Sequence, residues 1–222
     1  MIAVFTDTAT TTGSFSTAQS VAEGALCGWG LNSKGQLGLG DVTDRPTPTR
    51  IGTATNWTEV ARGAAHTCAI RTGGTLWCWG LNDKGQLGLG NTLDRTTPVQ
   101  VGTATNWSSI TTGSYHTCGT RSNGTLWCWG LNDKGQLGLG NTVDRTTPTQ
   151  VGTGTNWLPA TGGLSHTCAR RTGNTAWCWG INDKGQLGLG DTTNRTAPAQ
   201  IPAFQAKAIS IGSQAEHTFA VV

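Results

Sequence analysis

Apolar and polar positions alternate in short bursts along this chain, with no sustained helical spacing. His66-Thr67-Cys68-Ala69-Ile70-Arg71 and Thr75-Leu76-Trp77-Cys78-Trp79 are short runs rich in β-branched and aromatic residues, a pattern that predicts strands. Thr72-Gly73-Gly74 lies between them and predicts a hairpin, because glycine accepts the positive φ of a tight turn. Gly80 to Gly90 is too glycine-rich for a helix, and Gln86-Leu87-Gly88 within it reads as a short strand. Pro98-Val99-Gln100-Val101 and Trp107-Ser108-Ser109-Ile110 supply the last extended pieces.

The pattern then repeats. Trp79-Gly80-Leu81-Asn82-Asp83-Lys84-Gly85-Gln86-Leu87-Gly88-Leu89-Gly90 returns almost unchanged at 129–140 and 179–190, and a variant starts at Trp29, a spacing of 50 residues each time. A fixed period of this size marks a repeat architecture. The units run 13–62, 63–112, 113–162 and 163–211, and 212–222 opens a fifth, so 1–222 reads as a single repeat domain. About four short strands per unit is the content of one propeller blade. A blade cannot bury both faces alone, so neighbours must stack. The expected fold is all-β: a β-propeller of about four blades, each of four short antiparallel strands, closed on itself or part of a larger or oligomeric propeller.

Gly-x-x-His-Thr, then Leu-Trp-x-Trp-Gly-x-Asn-x-x-Gly-Gln-Leu-Gly-x-Gly, then a proline before a last strand, resembles the regulator-of-chromosome-condensation repeat. Full copies cover 63–211 and a variant covers 13–62. The resemblance implies a propeller of typically seven blades, and its members include a nuclear exchange factor for a small GTPase and a plant ultraviolet-B photoreceptor. The photoreceptor's Gly-Trp-Arg-His-Thr motif is replaced here by Gly63-Ala64-Ala65-His66-Thr67, Gly113-Ser114-Tyr115-His116-Thr117 and Gly163-Leu164-Ser165-His166-Thr167. Light sensing by that route is not expected, and an intracellular exchange factor or photoreceptor is the third reading of function.

Composition narrows the classes. Gly 33 and Pro 7 of 222 residues, with 12% charged residues, suit a turn-rich β protein and argue against a coiled coil or a charged disordered chain. No stretch approaches the ~18 consecutive apolar residues of a membrane helix. A net charge of +3 is too mild to predict a nucleic-acid partner.

Six of the seven cysteines fall in pairs, Cys68 with Cys78, Cys118 with Cys128 and Cys168 with Cys178. A hairpin centred on Gly73 sets the two members of a pair opposite one another on one face, near disulfide reach. The first unit lacks both together, with Ala18 and Gly28 in their places, as a bond predicts. Disulfides are the favoured reading, with buried reduced thiols next and a metal site last, since metal sites more often use Cys-x-x-Cys or mixed Cys and His sets. Disulfides suit an exported protein, so an extracellular or cell-surface setting is expected. The start, Met1-Ile2-Ala3-Val4-Phe5-Thr6-Asp7, does not read as a signal peptide, so export requires a mature or trimmed form. Cys27 is the odd thiol.

Candidate chemistry follows the period. His66, His116 and His166 share one repeat position, and His217 has the same His-Thr context. A catalytic histidine is normally single, so these read as strand histidines bonding a neighbouring turn. No Ser-His-Asp set or carboxylate pair breaks the symmetry; no enzyme activity and no cofactor are expected. Lys34, Lys84, Lys134 and Lys184 form an arc of candidate binding residues, with adjacent aspartates that cancel much of its field. Trp57, Trp107 and Trp157 each precede a strand and are expected to be partly exposed, suiting a protein or glycan surface. The favoured function is a non-enzymatic, exported binding or scaffold module.

The ends look complementary. Residues 208–222 hold opening strands with no later ones, and the first unit has a degenerate version of those strands in Ser14 to Gln19 followed by well-kept later ones. Phe219 takes the cysteine slot and Gly28 that of its partner. Three closures follow: within one chain, between copies, or within a longer propeller. The runner-up function is therefore a structural subunit of an extracellular assembly joined head to tail, with His217, Phe219 and Cys27 as candidate assembly residues.

Overall fold

The computed structural model describes residues 22–222. Sixteen strands and no helix are present among them. A two-stranded sheet pairs β1 (Cys27–Gly30) with β2 (Arg45–Arg50). A four-stranded sheet follows from β3 (Trp57–Arg62), β4 (His66–Arg71), β5 (Thr75–Gly80) and β6 (Arg95–Gln100). The next is β7 (Trp107–Thr112), β8 (His116–Arg121), β9 (Leu126–Gly130) and β10 (Arg145–Gln150). The third is β11 (Trp157–Gly162), β12 (His166–Arg171), β13 (Thr175–Gly180) and β14 (Arg195–Gln205). A final pair joins β15 (Ala208–Ser210) to β16 (Phe219–Val221).

Every sheet is antiparallel with neighbours in chain order, the meander of a propeller blade. Each four-stranded sheet opens one strand ahead of the sequence units: β3 bonds to β4 in the register Val60 to Ala69 and Ala61 to Cys68. The hairpins are as the sequence predicts, with Cys68 opposite Cys78, Cys118 opposite Cys128 and Cys168 opposite Cys178. All three pairs are disulfides, and their sulfurs lie in the buried core. Cys27 is a free, half-buried thiol. The comparison with Ala18, and the expected strand in Ser14 to Gln19, fall outside the described residues.

Cores form between blades. Cys68, Cys78, Leu76 and Leu87 of one blade pack with Trp107, Ile110 and Trp129 of the next. Cys118, Cys128 and Leu137 pack in the same way with Trp157 and Trp179. Side chains on one sheet face thus find their apolar partners on a neighbouring blade, as stacked repeats require.

Gln86-Leu87-Gly88 is a turn, not the expected strand. Its backbone is committed to side chains: Leu87 N–H donates to Asn82 Oδ1 at 2.9 Å, and Asn82 Nδ2 donates to the carbonyl of Asn91 at 2.9 Å. Asn82 and Gln86 are both buried. A buried polar side chain must find partners, and here the partners are loop backbone, so the segment closes on itself instead of joining a sheet.

Candidate functional site

The histidines lie on the seams between blades. His66 Nε2 is 3.0 Å from Thr117 Oγ1 on the next blade. Thr117 Oγ1 donates to the Gln86 carbonyl at 2.8 Å, and Trp129 Nε1 donates to that same carbonyl at 3.0 Å. The hydroxyl proton is spent on Gln86, so His66 must donate through Nε2, which fixes the neutral tautomer. His116, Thr167, Gln136 and Trp179 repeat the set. His166 reaches Thr218, which donates to the Gln186 carbonyl at 2.9 Å, and no tryptophan completes this third set among the described residues.

Burial pushes His66 and His166 down to about 4 and His116 down to about 3, the last also through its neighbours His66 and His166. Their Nδ1 atoms are buried without partners among the described residues. At neutral pH these rings are uncharged seam fasteners, in line with a structural role for them. Their bond is to a threonine on the adjacent blade, and that threonine in turn holds the turn carbonyl.

Trp57, Trp107 and Trp157 begin the first strands of their sheets. Trp107 and Trp157 are only 4% exposed, and Trp57 is half-buried. Partial exposure therefore holds for Trp57 alone. All three pack edge-on against tryptophans of the hairpin's second strand, Trp107 at 5.7 Å from Trp129, Trp157 at 6.2 Å from Trp177 and Trp57 at 6.4 Å from Trp77. The difference is the preceding blade, which covers Trp107 with Cys68, Leu76 and Cys78 and Trp157 with Cys118, Leu126 and Cys128, whereas Trp57 follows only the two-stranded sheet of β1 and β2. Arginines close each stack. The Arg71 guanidinium carbon is 4.2 Å from the Trp57 ring and 3.9 Å from the Trp77 ring. Arg121 and Arg171 repeat the clamp on Trp107 with Trp127 and on Trp157 with Trp177. Such cation–π contacts strengthen as they lose water. The recurrence of these arginines at one slot of each whole unit is the sequence signal that marks the clamp.

The lysines stand on the turn braced by Asn82 and Gln86. Lys84 N–H donates to Gln86 Oε1 at 2.8 Å, and Gln86 Nε2 donates to Asp83 Oδ1 at 3.1 Å. Lys134 and Lys184 reach the adjacent Asp133 and Asp183 at 3.3 and 3.6 Å, with side chains 42% and 67% exposed. Lys34 is exposed as well. Arginines near the strand starts differ by unit. Arg45 and Arg195 form ion pairs with Asp41 and Asp191 at 2.5 and 2.6 Å. Where asparagine replaces the aspartate, Arg95 and Arg145 bond only backbone carbonyls among the described residues, while Asp94 and Asp144 accept from the Asn82 and Asn132 N–H groups. Each turn thus carries two basic and two acidic side chains, and the middle units differ only in leaving the arginine unpaired.

Two open pockets mark the ends. One of about 390 Å³ is lined by Gly28, Trp29, Leu37 and Ile51; the other, of about 440 Å³, by Gln186, Gly188, His217 and Thr218. Trp29 is 61% exposed and Phe219 69% exposed. No group of three or more His, Cys, Asp or Glu side chains placed to hold a metal occurs among the described residues.

A family model described as an RCC1-like domain matches residues 4–222. The chain belongs to that family. No curated protein matches its sequence. Among solved structures of the RCC1-like fold, human WBSCR16 is 24% identical, with a TM-score of 0.75 over 86% of this chain and 52% of its own. Yeast RCC1 (Prp20), in its complex with Kap60, is 23% identical, with a TM-score of 0.76 over 86% of this chain and 48% of its own. Prp20p from Saccharomyces cerevisiae, described with its binding properties to Gsp1p and histones, is 22% identical, with a TM-score of 0.75 over 85% of this chain and 50% of its own. The chain thus spans about half the length of these RCC1-like structures. No helix among the described residues is long and apolar enough to cross a membrane.

Proposed function

We propose that this RCC1-like chain is a non-enzymatic binding or scaffold module that acts outside the cell or at its surface and engages a protein or glycan. The observation that carries the reading is the row of braced turns. Each holds its lysine on a backbone fixed by buried asparagine and glutamine side chains, so Lys84 and Lys134 are presented at blade spacing from a rigid support. Arg95 and Arg145 of the same two units bond only backbone carbonyls among the described residues, which leaves their guanidinium groups outside any carboxylate pair. A preformed, repeated row of lysine and arginine side chains suits an extended acidic partner, because little ordering entropy is lost on binding. The family offers precedent for protein partners, since the yeast RCC1 structures name Kap60, Gsp1p and histones. Three buried disulfides in one chain support an oxidising compartment.

The test is a titration of the 222-residue chain with a sulfated glycan and with an acidic protein domain, each at two salt concentrations. Lys84→Ala with Lys134→Ala should weaken binding about tenfold or more and flatten its salt dependence. Affinity unchanged by the pair of substitutions overturns the proposed binding surface.

A further inference from the structure

We propose that two copies of this chain join head to tail, the N-terminal half-blade of each completing the C-terminal half-blade of the other. The first two-stranded sheet holds the last two strands of a blade, and the final one holds the first two. In repeat register β1 and β2 match β5 and β6, and β15 and β16 match β3 and β4. These two halves lie in separate sheets of this chain.

The edges fit through the contacts that already join whole blades. A Cβ built on Gly38, Gly88 or Gly138 would lie 2.7 to 2.8 Å from Nε1 of Trp79, Trp129 or Trp179, so each of these glycines, with φ between +71° and +73°, is the floor of a tryptophan socket. Gly188 has the same backbone with φ +69°, yet among the described residues only Ile201 lies near, at 3.6 Å. No described tryptophan enters this socket, and the Gln186 carbonyl beside it has Thr218 but no indole. The residue at the matching position on the other edge is Trp29, a large apolar side chain left 61% exposed.

Backbone partners follow the same rule. The N–H groups of Gly40, Gly90 and Gly140 donate to the carbonyls of Thr96, Thr146 and Thr196 at 2.8 Å. Gly190 has no such acceptor among the described residues, and Pro46, which has a carbonyl and needs no donor bond, stands at the matching position.

The hairpin adds a size exchange. In whole blades two cysteines face each other. One extra residue lies between β15 and β16: Ile211 bonds Thr161 at the usual separation of 50, but His217 follows His166 by 51 positions, so Phe219 matches Cys68 while Gly28 matches Cys78. A Cβ on Gly28 would lie 3.3 Å from Leu37 and 3.4 Å from Ile51, at the wall of the 390 Å³ pocket. One large ring above one glycine fills the space that a disulfide fills elsewhere, and 69%-exposed Phe219 is that ring.

A second copy is the occupant because each copy carries both halves of the joint: the unfilled socket at Gly188 and the exposed Trp29 that matches its missing indole. Two copies related by a two-fold axis satisfy both joints at once. Among the described residues each brings three whole blades and two halves, so the pair closes about eight blades, within the usual range of propellers.

The decisive experiment restores the missing cysteine pair across the joint. In a Cys27→Ser background, Gly28→Cys with Phe219→Cys should give a covalent species of twice the 23.1 kDa chain that is lost on reduction, and neither single substitution should give it. Light scattering on the unmodified chain should show the same doubled mass, falling toward the monomer on dilution. Trp29→Ala should weaken association roughly 30-fold or more, as removal of a buried aromatic anchor does, and circular dichroism should show its sheets intact. A monomer at every concentration, a bond between the two introduced cysteines within one chain, or a ladder of higher multiples would each overturn closure by two copies.

Discussion

His66 and Thr117 stand on adjacent blades and are joined at 3.0 Å across the seam, with the Gln86 carbonyl as the final acceptor. One hydroxyl therefore holds three segments: a strand of each blade and the turn between them. Thr67 makes only the last link among the described residues, to the Gln36 carbonyl at 2.8 Å. Thr117→Val should destabilise the fold by about 1–3 kcal/mol, the effect of stranding buried polar groups, and Thr67→Val by less. Denaturant unfolding of both variants checks the order, and equal losses would show that the histidine link adds nothing.

Acid should weaken the protein through its histidines. Their pKa values fall from the ordinary 6.5 to about 4 for His66 and His166 and about 3 for His116 on burial. The unfolded chain therefore takes up protons that the folded chain refuses. The stability is fully present above pH ~6.5 and is lost as pH falls toward 4 and below, by up to about 1.4 kcal/mol per pH unit for each ring. Denaturant midpoints at pH 7, 6 and 5 read the slope, and His116→Gln should flatten it by about one third. A midpoint independent of pH would show that the folded rings take up protons as readily as the unfolded ones.

Each disulfide closes a short hairpin of sequence separation 10, worth about 2.7 kcal/mol by loop-closure entropy. Cys118→Ala with Cys128→Ala should lower the denaturation midpoint accordingly. Thiol titration of the unreduced, denatured chain should find Cys27 alone, since the other six cysteines are paired. Seven reactive thiols would place the protein in a reduced state.

The arginine clamp predicts an optical change. Arg121 lies 4.7 Å from the Trp107 ring and 4.0 Å from the Trp127 ring. Arg121→Ala should cost about 1–2 kcal/mol and shift tryptophan emission to longer wavelength as water reaches Trp127. Arg121→Lys should recover only part of the loss, because an ammonium cannot stack as a plane. Full recovery would reduce the clamp to simple charge.

Strand positions are legible in the sequence wherever one short-range rule decides them. The facing of Cys68 and Cys78 needs only a period of two and the turn at Gly73, and the hairpin forms as expected. The Gln86 turn is not legible, because a strand-like run is overruled by Asn82, whose side chain takes the backbone bonds a sheet would have used. Trp107 is buried against expectation because its cover comes from another blade, through Cys68, Leu76 and Cys78, which lie about 30 to 40 residues away in sequence. The clamp itself is invisible to hydrophobic patterning, which counts arginine as polar. Of the candidate site residues, the lysines lie on braced turns whose rigidity depends on buried amides, a feature that composition does not show.

The seam built from histidine, threonine and a glutamine carbonyl is identical at successive joints, and this makes the number of blades a free variable in evolution. Excising residues 101–150 would set Thr167 opposite His66 and over the Gln86 carbonyl, the same three groups that now meet there through Thr117. Unequal recombination between the near-identical units can lengthen or shorten such a gene by whole blades without leaving a mismatched joint to be repaired.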